Sequence, residues 1–137
     1  MAPKKTAYKR IEPGRAEVYW AKAQDFFRAM RDTTAAKNWN GAGLAGVHCA
    51  ISASDALLVA KAGLRSSSKT HEDVVDLIRH HVRHPQTDEQ TKRLGAILAE
   101  KNLIEYVDKS YTEKEALTLQ KQVERYFGWV QALLNFQ

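Results

Sequence analysis

Apolar residues recur at steps of three and four in five stretches of the chain, and nowhere do apolar and polar residues alternate as in a half-buried strand. The spacing predicts a first helix over about 13–34, opened by Pro13, whose fixed φ suits a first turn. Its apolar stripe is Tyr19, Ala23, Phe26, Phe27 and Met30. Asn38-Trp39-Asn40-Gly41 reads as a loop entering a second helix over about 43–62, stopped by Gly63. That helix is apolar nearly all round, with Leu44, Val47, Ile51, Leu57 and Leu58 among glycines and alanines. A helix of this kind is buried on several sides, so it is expected at the centre of the fold.

The polar loop Arg65-Ser66-Ser67-Ser68-Lys69 leads to a third helix, with Thr70 and Asp73 in capping-box-like positions and Pro85 as its stop. Thr87 with Gln90 and Thr112 with Glu115 predict capping boxes for a fourth and a fifth helix. The fourth carries Leu94, Ile97, Leu98 and Ile104; the fifth carries Ala116, Leu119, Val123, Tyr126, Phe127 and Val130 at unbroken helical spacing. Short connections favour antiparallel neighbours, so the expected fold is all-α, an up-and-down bundle of four to five helices. It forms one domain over 14–137, preceded by a basic flexible arm over 1–13.

Composition narrows the class. A chain of 137 residues can bury a core without cross-links, and its single cysteine, Cys49, excludes an internal disulfide framework or a multi-cysteine zinc site. No secretory signal or membrane span is read from the sequence, which makes the cytoplasm the expected location and a membrane an unexpected partner. The formal charge is +5, of which the first 15 residues carry +4 through Lys4, Lys5, Lys9, Arg10 and Arg15 against Glu12. These five cations are the candidate nucleic-acid contacts, because phosphate neutralisation draws on Lys and Arg.

Four segments carry a family resemblance. His48-Cys49-Ala50-Ile51-Ser52-Ala53-Ser54-Asp55-Ala56-Leu57-Leu58 resembles the small-residue second helix of HEPN domains. Lys69-Thr70-His71-Glu72-Asp73-Val74-Val75-Asp76-Leu77-Ile78 is similar to the Lys-His opening of their next helix. Lys101-Asn102-Leu103-Ile104-Glu105-Tyr106 and Thr112-Glu113-Lys114-Glu115-Ala116 resemble their Arg-x-x-x-Asp-Tyr element and the start of their last helix. The likeness spans about 15–135. It implies a helical bundle, a homodimer, and a prokaryotic toxin–antitoxin, defence or CRISPR-linked setting. Some members are metal-independent ribonucleases with an Arg-x4-6-His pair; others bind RNA, a nucleotide or a protein such as an antitoxin.

Arg79 and His84 satisfy that spacing, with His80 or His81 as an assistant. Metal-free RNA cleavage needs a base, an acid and a cation over the phosphate, roles that suit His and Arg. In one continuous helix residues five apart diverge by about 140°, so the pair converges only if the helix breaks before His84. A further reading pairs His80 with His84 as zinc ligands on one helix face, but no third ligand is evident. At the position corresponding to the family's site before the last helix, this chain has Lys101 and Glu105-Tyr106 instead of Arg and His. Binding is therefore the leading reading, with an endoribonuclease and a partner-binding subunit as alternatives, and no cofactor is called for.

His48 and Asp55 lie two turns apart on one face of the buried second helix, and Lys101 lies on the apolar arc of the fourth. Buried charges need partners. Together with His71 they form a candidate ligand pocket for a phosphate-bearing molecule, or else a polar bridge between helices. Trp20, Trp39 and Trp129 are candidates for stacking on bases or for packing in the core.

Overall fold

The structure is a computed structural model that describes residues 7–68 and 70–135. Pro13 opens a short 3-10 turn, Pro13–Arg15, that runs directly into α1, Ala16–Ala35. Ala16, Trp20, Ala23 and Met30 are its buried residues, while Tyr19, Phe26 and Phe27 are half-buried beside them. Asn38 caps α2, Trp39–Ala62, by accepting the Gly41 N–H at 3.0 Å. The stretch expected as a loop is thus the cap and first turn of α2. An Asx side chain can satisfy a free amide at a helix start, and that pulls the helix start back to Trp39.

α2 is the central element and packs against α1, α3, α4 and α5. Small residues permit the close approach: a Cβ on Gly43 would lie 2.8 Å from the Ile104 Cδ1 atom and 2.9 Å from the Tyr111 ring. By length and composition α2 could cross a membrane, with a mean hydropathy of 1.5 in its most apolar window, but 78% of that window is buried by the other elements. The helix ends where Gly63 takes φ 63° and its N–H returns to the Val59 carbonyl.

After Gly63 the chain departs from the all-helical expectation. Leu64–Ser66 forms a strand, β2, paired antiparallel with β1, Tyr8–Arg10, in the register Tyr8↔Ser66, Lys9↔Arg65 and Arg10↔Leu64. Further bonds run from Ile11 N–H to the Gly63 carbonyl and from Ser67 N–H to the Ala7 carbonyl, at 2.8 and 3.2 Å. The part of the arm over 7–11 is therefore a tied-down ribbon rather than a flexible tail. Three residues are too few for alternation to register in the sequence. Lys4 and Lys5 lie outside the described residues.

α3, His71–His81, stops before the expected end at Pro85: Val82 is already extended at φ −112° and ψ 108°. Its start is served by the Ser68 hydroxyl, which donates to the Asp73 carboxylate, in place of the expected Thr70 box. α4 spans Thr87–Tyr106, and its Thr87 is the first helical residue, not a cap. The Thr87 hydroxyl instead holds the Val82 carbonyl at 3.0 Å, which explains why the Thr87–Gln90 box does not form. α5, Glu113–Leu134, has the predicted capping box between Thr112 and Glu115. Its Phe127 stacks on Trp20 and Phe27 of α1 at 4.6 and 4.4 Å, so the first and last helices close over α2. The described residues form an all-α bundle of five α-helices with one small ribbon at its edge.

Candidate functional site

On α2, positions 48, 51 and 55 share a face because steps of three and four return to the same side of a helix. This face looks toward β2 and the start of α3, and Lys101 of α4 meets it there. His48, Asp55, Arg65, Ser68 and Lys101 line one cavity of about 330 Å³, walled by Val74 and Leu98. Three of the four residues proposed from sequence as one pocket therefore share a cavity. The side chain of the fourth, His71, lies outside what the structure describes; its backbone begins α3.

Asp55 is the most constrained member, with its side chain 9% exposed and an Arg65 Nε to Oδ2 distance of 3.2 Å. Burial raises its carboxyl to about 6, and the opposing charges of Arg65 and Lys22 offset only part of that rise. The Arg65 guanidinium also sits 5.2 Å over the Tyr19 ring, so one cation bridges a carboxylate and an aromatic face. His48 stacks on Phe26 at 5.4 Å and makes no hydrogen bond to a described residue. Lys101 is half-buried and likewise makes no ion pair to a described residue. In the ribbon, Lys9 stands directly across from Arg65, and directly opposed side chains share a face. The fold thus links β1 to Arg65, which lines the pocket.

Two further cavities adjoin this one. One, of about 410 Å³, shares His48, Asp55 and Arg65 and extends to Tyr19 and Lys22. The other, of about 820 Å³, shares Thr70, Leu98 and Lys101 and runs between α3 and α4 past Arg79. The three cavities share lining residues and lie side by side.

The Arg79–His84 pair is not assembled within the chain. The α3 helix does break before His84, but the break carries His84 toward α5: its Nδ1 accepts the Gln86 N–H at 3.0 Å and the Trp129 indole N–H at 3.3 Å. Arg79 turns toward α4 and donates from Nε to the Thr91 hydroxyl at 3.0 Å. The two line separate cavities. His80 and His81 touch edge to face at 4.8 Å, and burial, followed by the charge of His80, pushes the His81 imidazole below its ordinary range. Because α3 ends at His81, His80 and His84 do not share a helix face, which removes the basis of the zinc reading. Among the described residues no three His, Cys, Asp or Glu side chains gather as metal ligands.

Trp20 and Trp129 are core residues and Trp39 is half-buried, so the first two present no open ring face to a base. Arg10 and Arg15 are exposed at the ribbon and the 3-10 turn. Sequence reasoning missed Arg65, which it read as a loop residue. The signal was indirect: a buried Asp55 requires a cation, and Arg65 follows the helix stop by two positions. No family model matches the chain, and no curated protein does.

Proposed function

We propose that this chain is a HEPN-like helical module that binds a phosphate-bearing ligand, RNA or a nucleotide, in the cavity beside α2. It acts as a homodimer in a prokaryotic defence or toxin–antitoxin setting. The observation that carries the reading is the convergence of His48, Arg65 and Lys101 around a cavity whose single carboxylate, Asp55, is neutralised by Arg65. A half-buried lysine without an anionic partner among the described residues favours an anion, and the ribbon sets Lys9 across from Arg65. The separate cavities of Arg79 and His84 support binding over cleavage.

The test is titration calorimetry with pyrophosphate and with a single-stranded RNA decamer, both in EDTA. Lys101→Ala and Arg65→Ala should each weaken binding at least tenfold while the RNA stays intact. Unchanged affinity in both variants would overturn the reading. RNA cleavage abolished by Arg79→Ala and by His84→Ala would replace it with the endoribonuclease. Light scattering should return twice the 15.5 kDa mass of one chain.

A further inference from the structure

The cavity of about 820 Å³ between α3 and α4 has a wall chemistry that the phosphate site does not explain. On α3 it is faced by Glu72, Asp76 and Arg79, which steps of four and three place on one side of the helix. Asp76 and Arg79 carry opposite charges one turn apart, a spacing at which ion pairs form readily. No ion pair joins them: Arg79 is drawn by Thr91 across the cavity, and neither Glu72 nor Asp76 bonds to a described residue. The Asp76 carboxylate and the remaining N–H groups of the Arg79 guanidinium are therefore both presented to the cavity.

The opposite wall is α4. Gly95 lies inside α4, and a Cβ built there meets nothing within 4 Å. Glycine weakens a helix interior, and no contact within the described protein requires one at this position. Its effect is to leave bare backbone, with Ala99 beside it, along the cavity side. At the mouth stands Tyr106, 74% exposed, an aromatic ring with little protein to cover it.

We propose that this cavity holds the base of a guanine nucleotide whose phosphates reach past Lys101 into the His48–Arg65 cavity. The ring would lie over the bare Gly95 backbone, with Tyr106 placed to stack on it. Guanine presents two acceptors, O6 and N7, next to two donors, N1–H and N2–H₂. Arg79 matches the first edge and the Asp76 carboxylate the second. The two edges are contiguous on the purine, as the two side chains are neighbours on the helix. Adenine would face the carboxylate with its N1 lone pair and the guanidinium with its amino group, so it is disfavoured on both edges. Lys101 lines both cavities, which fixes where base and phosphate meet. The proposal rests on the phosphate-site reading above.

Calorimetry with GDP, ADP, IDP and pyrophosphate in EDTA tests it and separates it from that reading. GDP should bind at least tenfold tighter than ADP, with IDP, which lacks the 2-amino group, between them. Asp76→Asn should narrow the GDP to ADP ratio severalfold, the remainder being set by Arg79, while pyrophosphate is still bound. Gly95→Leu, which fills the slot on a solvent-facing helix side, should weaken GDP to the level of pyrophosphate; thermal melts report whether each variant is folded. Equal affinity of the wild-type protein for GDP and ADP, with pyrophosphate still bound, would overturn the guanine pocket and leave the phosphate site standing. No binding of pyrophosphate or GDP would overturn both. A 5′-phosphorylated RNA tetramer beginning with guanosine distinguishes the source: binding tighter than GDP assigns the base to an RNA end, weaker binding to a free nucleotide.

Discussion

Asp55 is less stable ionised in the folded protein than in the unfolded chain, since burial lifts its carboxyl from 3.8 to about 6 despite Arg65. The folded state therefore holds this proton more tightly. The resulting stabilisation is complete below about pH 4 and is lost as pH rises through about 6. Asp55→Asn keeps the shape and cannot ionise, so at pH 8 it should raise stability by roughly 1–3 kcal/mol, the equivalent of about two pKa units. Chemical denaturation of both proteins across pH 4–8 checks this; a gap that does not widen with pH would contradict it. Cys49 is the contrasting case. Burial pushes its thiol up to about 12, so it should resist a thiol reagent in the native state and react only on unfolding.

Element ends divide into those set locally and those set from a distance. The α5 start is local: Thr112 accepts the Glu115 N–H at 3.1 Å, and Glu115 returns bonds to the Thr112 N–H and hydroxyl at 3.0 and 2.9 Å. Those bonds hold the Glu115 carboxyl below its ordinary range. Thr112→Ala should cost about 1 kcal/mol, measured by thermal melting. Gly63 is local as well, and Gly63→Ala, forced to keep φ 63°, should cost a further 1–2 kcal/mol by order of magnitude. The start of α4 is different. The sequence offers Thr87 and Gln90 at capping-box spacing, but Thr87 bonds to Val82 in the preceding connection, so a tertiary turn outcompetes the cap. The same turn ends α3 early and carries His84 to Trp129. A spacing motif such as Arg79–His84 says nothing about which side of such a turn each residue leaves.

For the whole molecule the ribbon decides how the N-terminal charges act. Lys9 and Arg10 belong to β1, so replacing both with Gln should reduce the salt dependence of RNA binding, lowering the slope of log K against log salt by about 1.4, with little change in melting temperature. Deleting residues 1–11 should lower both, because β2 loses its partner. A deletion that leaves both unchanged would detach the ribbon from function and from stability. The sequence by itself determined the helical class, the central place of α2, the α5 capping box and three residues of the polar pocket, His48, Asp55 and Lys101, because each follows from periodicity, local hydrogen bonding or the misfit of a charge on an apolar face. Only the tertiary structure decided that Arg65 partners Asp55, that β1 joins the arm to the pocket, and that Arg79 and His84 part. Those outcomes depend on which groups meet across tens of residues, and no local spacing encodes a meeting of that kind.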